Sequence, residues 1–200
     1  MQIQRIAEAL VALTLAFAAV APAQTIDDFE SYEDTADMQT VWLFGSLDTV
    51  TPNPETGVQS LRRETFSPEN GSGVFSVQFF DPPLDLSSSL GLEFWGRRDP
   101  TSVSIVQFDV TIRDPSNSTC SRQGPLVTDA EWHLSTLTFQ DSCDGVDLSN
   151  ITQINLSVLN QSGAPGDLRA NFDDLAVIFD DIFEDGFETG NTSIWSATVP

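Results

Sequence analysis

Lysine is absent. All eight strong bases of this 200-residue chain are arginines, set against 30 Asp and Glu, for a formal net charge of −22. Such a surface repels nucleic acid and anionic membranes, which are excluded as partners. Histidine occurs once, as His133. A zinc site built on paired histidines is therefore ruled out. A lone His between Trp132 and Leu134 reads as structural or surface rather than as a general base. The chain has no Gly-x-Ser-x-Gly elbow and no phosphate-cradling glycine loop. Paired carboxylates can cleave glycosides, but with 30 acidic residues some pair is inevitable, so a pair is no evidence of catalysis. Cysteine occurs twice, at Cys120 and Cys143, with no Cys-x-x-Cys, so a thiolate metal site is excluded. In an exported protein a lone pair forms a disulfide.

Export is expected from the first 23 residues. Met1–Ala23 carries Arg5, an apolar run from Ala9 to Val20, and an Ala21-Pro22-Ala23 cleavage site, the plan of a secretory signal peptide. No later apolar run is long enough to span a bilayer. A secreted protein, periplasmic or extracellular, free of the membrane after cleavage and monomeric, follows. Residues 24–180 suit one domain. With 40% hydrophobic residues and 14 Phe there is material for a core. Residues 181–200, where Phe183, Phe187 and Trp195 are spaced by Gly, Asp and Asn, read as a C-terminal tail.

The local pattern is β throughout. Residues 74–80, 90–95, 103–113, 132–139 and 151–159 alternate with period two. Turn residues separate them: Asn70-Gly71-Ser72-Gly73, Asp81-Pro82-Pro83, Asp99-Pro100, Asp114-Pro115 and Gly163-Ala164-Pro165-Gly166. Short strands at near-regular spacing without helical periodicity predict an all-β antiparallel β-sandwich, with the jelly roll as its form. Arg169–Phe179 is the most strand-like stretch, interrupted by Asp173 and Asp174. Simple alternation puts Phe172, Asp174 and Ala176 on one face, and Asp173, Leu175, Val177 and Phe179 on the other. A second acidic cluster, Asp27-Asp28-Phe29-Glu30, stands near the other end. First and last strands meeting around a hard cation are expected, since Ca²⁺ takes six to eight oxygens.

Four stretches carry a resemblance when taken in order: Ile26-Asp27-Asp28-Phe29-Glu30; Leu90-Gly91-Leu92-Glu93-Phe94-Trp95-Gly96; Glu131–Phe139; and Leu148–Ile154 running on to Phe172-Asp173-Asp174-Leu175-Ala176-Val177. Together they resemble family 11 carbohydrate-binding modules and related galactose-binding-like jelly rolls, including complex-I-intermediate-associated-protein-30-like domains. The resemblance implies a structural calcium joining the first and last strands, carried over by position to Asp28, Glu30 and Asp173. Ile182–Gly190 with Trp195 is similar to a short ending seen on many exported bacterial proteins.

The resemblance implies polysaccharide or surface glycan as the partner. Sugars are held by aromatic platforms, with Asp, Asn, Gln and Arg bonding the hydroxyls. Trp42, Phe44, Trp95 and Arg97 are the candidates. Alternation sets Leu92 and Phe94 on one face of their strand and Glu93, Trp95 and Arg97 on the other, so Trp95 with Arg97 is the first expectation and Trp42 the second. The reading is a non-catalytic carbohydrate-binding-like module. A cell-surface or matrix structural or adhesion protein and a small glycan-active enzyme are the alternatives.

Overall fold

Where the chain alternates it forms strands, and the strands close into two antiparallel sheets. The structure is a computed structural model that describes residues 24–49, 57–139 and 143–179. The signal-peptide reading of Met1–Ala23 and the tail reading of 181–200 lie outside the described residues.

The strands are β1 (Gln24–Asp27), β2 (Trp42–Leu43), β3 (Ser46–Asp48), β4 (Ser60–Thr65), β5 (Gly73–Leu84), β6 (Ser89–Arg98), β7 (Val106–Arg113), β8 (Thr119–Val127), β9 (Trp132–Thr138), β10 (Ile151–Asn160) and β11 (Leu168–Phe179). One helical turn, α1 (Thr35–Met38), is capped by Asp34, whose carboxylate accepts from the amides of Ala36 and Asp37. One sheet runs β3-β4-β11-β6-β9, with β1 also paired to β11; the other runs β2-β5-β10-β7-β8. This is the antiparallel sandwich of a jelly roll. The first and last strands do meet, Gln24 opposite Val177 and Thr25 opposite Ala176.

Between the sheets, Phe94, Phe108 and Phe172 form an aromatic trio with ring centroids 5.1–6.1 Å apart. Gly96 makes room for it. Gly96 lies opposite Phe172, and a Cβ there would come within 3.0–3.1 Å of three carbons of the Phe108 ring. Cys120 and Cys143 are joined, 23 residues apart in sequence and 5.2 Å between Cα atoms.

The alternation expected along β11 does not hold. Asp173 pairs with Trp95 and Ala176 with Glu93, so β11 spends one residue more than β6 across this step. Asp174 sits in the left-handed region at φ 53°, which a short polar side chain tolerates. This bulge resets the phase. Phe172, Leu175 and Val177 all reach the core, although simple alternation had put Phe172 opposite the other two.

Candidate ligand-binding face

Each sheet has an outer face, and the two differ in chemistry. On the six-stranded sheet, Leu92 and Phe94 are buried, so Glu93, Trp95 and Arg97 point outward, as the alternation predicted. In register, Ser46, Arg62, Asn171, Arg97 and Trp132 form one row across five strands. In the next row Asp173, Trp95 and Leu134 lie side by side. Most of the charge here is consumed internally. Arg62 pairs with Asp48 at 3.2 Å, Asp99 at 3.5 Å and Glu64 at 3.6 Å. Asn171 donates to Asp48 and Ser60, both at 2.9 Å. The Arg97 Nε donates to the Ala130 carbonyl at 2.6 Å. Trp95 and Arg97 therefore share a face, but that face is a self-satisfied polar network.

Trp42 does not join them. It is fully buried at the opposite sheet and packs on Phe29 at 5.7 Å between ring centroids. Its indole Nε1 donates to Asp27 Oδ2 at 2.7 Å. The expectation that Trp42 offers a sugar platform is corrected: the ring has no free face. Asp27 anchors the whole corner. Its Oδ1 accepts from the Phe29 amide at 2.8 Å, and its Oδ2 also accepts from the Tyr32 hydroxyl. Burial, then this hydrogen bond, then the Asp27 charge push the Tyr32 phenol far up, so it stays a donor at any working pH.

The acidic first strand is brought to the last one, with Asp174 as the carboxyl they approach. Burial raises the Asp174 pKa, and the charges of Asp28 and Glu30 raise it further. Glu30 Oε1 accepts from the amides of Val58 and Gln59 at 2.7 and 2.8 Å. Asp28 Oδ1 accepts from the Glu30 amide at 3.0 Å, and Asp173 Oδ1 from the Asp174 amide at 2.9 Å. A recess of about 350 Å³ beside Asp28 is lined also by Asp27, Tyr32 and Gln78. Among the described residues no group of three or more His, Cys, Asp or Glu is arranged to hold a metal ion. Asp28, Glu30 and Asp173, the predicted calcium set, each accept from at least one backbone amide.

The outer face of the five-stranded sheet is of another kind. Of the eight most exposed large apolar side chains among the described residues, five belong to this side: Leu43, Phe44, Phe75, Phe79 and Leu126. Phe44 and Phe75 meet edge to face at 5.8 Å and line a recess of about 300 Å³ with Arg63, Gly73 and Val74. Register continues these rings into polar rows. Phe75, Ser157, Asp109 and Gln123 stand abreast, as do Phe79, Gln153, Arg113 and Thr119. Between those rows run Leu43, Val77, Asn155, Thr111 and Ser121. Neighbouring strands are about 4.8 Å apart, so each row is a contiguous strip of ring, hydroxyl, amide and carboxyl. Apolar rings beside fixed hydrogen-bonding groups suit a ligand with C–H faces and hydroxyl edges.

Of these residues only Phe44 was a candidate from the sequence. Phe75 and Phe79 were passed over because β5 reads inside out. Ser76 and Gln78 lie opposite the core residues Leu156 and Ile154, while the phenylalanines point to solvent. Ser76 is stabilised there by donating its hydroxyl to the Phe44 carbonyl. The row that reads as core, Phe75-Val77-Phe79, is the outer one, and Ser76-Gln78 is the inner one.

No family model matches the chain, and no curated protein is similar to it in sequence. Solved structures share its fold. One is a carbohydrate-binding module of family 28, described as specific for non-crystalline cellulose, at 13% identity and TM-score 0.53, with 80% of this chain and 94% of that one covered. The family 11 module of a cellulosomal cellulase of Clostridium thermocellum is similar at 17% identity and TM-score 0.52, over 82% and 97% of the two chains. A second structure of a family 11 module from that organism, in complex with a β-1,3-1,4-mixed-linked tetrasaccharide, matches at 16% identity and TM-score 0.50, over 78% and 95%. Of an exo-beta-agarase the chain spans only 23% of the length, at 12% identity and TM-score 0.50 over 72% of this chain. Identities this low establish a common fold, that of carbohydrate-binding-module jelly rolls.

Proposed function

We propose that this chain is an exported, non-catalytic carbohydrate-binding module whose ligand lies across the outer face of the five-stranded sheet. The observation that carries the reading is the set of exposed rings, Phe44, Phe75 and Phe79, in register with Ser, Thr, Asn, Gln and Asp side chains. The shared fold supports it, since the family 28 and family 11 modules cover nearly whole chains and are described as carbohydrate-binding. Export draws on the signal-peptide reading of Met1–Ala23 and on the disulfide. Among the described residues no helix is long and apolar enough to cross a membrane.

Affinity electrophoresis through neutral polysaccharides tests the reading and locates the site. Wild-type protein should be retarded by at least one matrix. Phe75→Ala with Phe79→Ala should weaken retention about 10- to 100-fold, the equivalent of about 1–3 kcal/mol, with little change in melting temperature, because both rings are already exposed. Trp95→Ala should leave retention unchanged. Loss with Trp95→Ala but not with the phenylalanines would move the site to the six-stranded face. If no matrix retards the wild type, the structural or adhesion reading replaces this one.

Calcium enters the proposal through one observation, the closeness of Asp28 and Glu30 to Asp174. A cation there would relieve the repulsion that Asp28 and Glu30 exert on Asp174, and chelator should lower the melting midpoint by about 5 °C if the protein was saturated a hundredfold beforehand. A melt unchanged by chelator would leave these carboxylates as solvated strand ends.

A further inference from the structure

Among the buried polar atoms of the proposed face without a hydrogen-bond partner are the Arg113 Nε, a donor, and the Asp109 Oδ1, an acceptor. Asp109 lies in the middle strand row, between Ser157 of β10 and Gln123 of β8, with Phe75 one strand further. Its strand neighbours Phe108 and Val110 are in the core, so its side chain points to the outer face. There it is only 9% exposed, and its Oδ1 is buried without a hydrogen-bond partner. Gln107 and Thr111, its neighbours along the same face of β7, are held by other partners. Gln107 donates to the Gly124 carbonyl at 3.1 Å and accepts from Gln161 at 3.2 Å. Thr111 bonds Ser121 at 2.7 Å, and Gln153 bonds Asn155 at 2.6 Å.

Burial pushes the Asp109 carboxyl up to about 6, against the pull of a hydrogen bond from Gln123. None of the residues abreast of it, Ser157, Gln123 or Phe75, titrates near neutrality. Along its own strand and face the charged residue is Arg113, four positions away and one row removed from direct contact in register.

An unsatisfied buried carboxylate oxygen is costly, and a donor that reaches it recovers that cost. We infer that Asp109 is the hydroxyl acceptor at the centre of this face, and that it makes the module select neutral, hydroxyl-rich glycans over anionic ones. The inference rests on the carbohydrate-binding reading above. A neutral sugar offers an O–H to this oxygen at every turn. A uronate or sulfate ester offers an anion, which the carboxylate repels inside a partly dehydrated site, and repulsion of that kind is an efficient source of specificity. The bond is charge-assisted when Asp109 is ionised and weaker once it is protonated. Binding should therefore be strongest above about pH 6 and fall below it.

The experiment is affinity electrophoresis on two matched pairs of polymers, hydroxyethylcellulose with carboxymethylcellulose and agarose with carrageenan, run near pH 7.5 and near pH 5. Wild type, Asp109→Asn and Phe75→Ala are compared. Wild type should be retained by the neutral member of a pair about fivefold more strongly at the higher pH, the size expected when a charged acceptor replaces a neutral one. Its preference for the neutral member should exceed its retention on the charged one. Asp109→Asn should flatten the pH dependence and raise retention on the charged member relative to the neutral one. It should fold at least as well as wild type at pH 7.5, since it removes a buried charge, and a melt verifies this. A wild-type profile flat in pH, with selectivity unchanged in Asp109→Asn while Phe75→Ala still abolishes neutral binding, overturns the role of Asp109 and leaves the face standing. No retention of wild type by either neutral polymer overturns the face and the inference together.

Discussion

Asp27→Ala is expected to destabilise the domain by about 3–5 kcal/mol, lowering the melting midpoint by about 10–15 °C. Three donors converge on this carboxylate: the Phe29 amide at 2.8 Å, the Trp42 indole at 2.7 Å and the Tyr32 hydroxyl. All three residues are buried. Removing the acceptor leaves each donor without water or partner, and every unsatisfied buried group costs roughly 1–3 kcal/mol. The change also releases Phe29 from a left-handed conformation, φ 58°, that the hydrogen bond from its amide N–H to the Asp27 carboxylate helps to hold. Asp27→Asn keeps one acceptor oxygen and the shape, so it should lose less. Urea and thermal denaturation of the two variants check the order. A cost below about 1 kcal/mol for Asp27→Ala would mean that the corner relaxes and rehydrates without it.

Phe172→Ala is the second large effect, expected at about 3–5 kcal/mol as for other buried phenylalanines cut to alanine. Phe172 is fully buried and touches both other rings of the trio, with centroids 5.7 Å from Phe94 and 5.1 Å from Phe108. It stands opposite Gly96, which has no side chain to help fill the gap. Phe172→Leu should cost less than half as much, because most of the volume remains. Equal losses for the two variants would show that ring-to-ring geometry, rather than filled volume, is what Phe172 supplies.

The frame of the fold was readable from the residues. Alternation at 90–95 and 151–159 gave β6 and β10, because apolar and polar residues largely alternate there. The cysteine pair and the meeting of first and last strands were also legible. Other features were hidden for physical reasons. Trp42 belongs to a strand of two residues, too short to show a period, and a buried indole N–H needs a partner that Asp27 supplies 15 residues earlier. In Asp27-Asp28 nothing local tells which carboxylate turns inward; the donors that decide it, Tyr32 and Trp42, are placed by the fold. The bulge at Asp174 required a non-Gly residue at positive φ, which sequence alone does not announce. On β5 the apolar row Phe75-Val77-Phe79 is the outer one and Ser76 and Gln78 face the core, so alternation alone assigns the faces the wrong way round.

Gln24 faces Val177 across the β1–β11 ladder, and the chain leaves both strands at the same end. Tension applied through the two ends of the domain therefore loads that ladder like a zipper. Its hydrogen bonds would be opened one after another, starting with the pair nearest the pull, instead of sharing the force in shear. Such an attachment gives way at low force, and β1 peels off before the Phe94–Phe108–Phe172 centre feels the load. The geometry is poorly matched to bearing weight in a surface or matrix fibre.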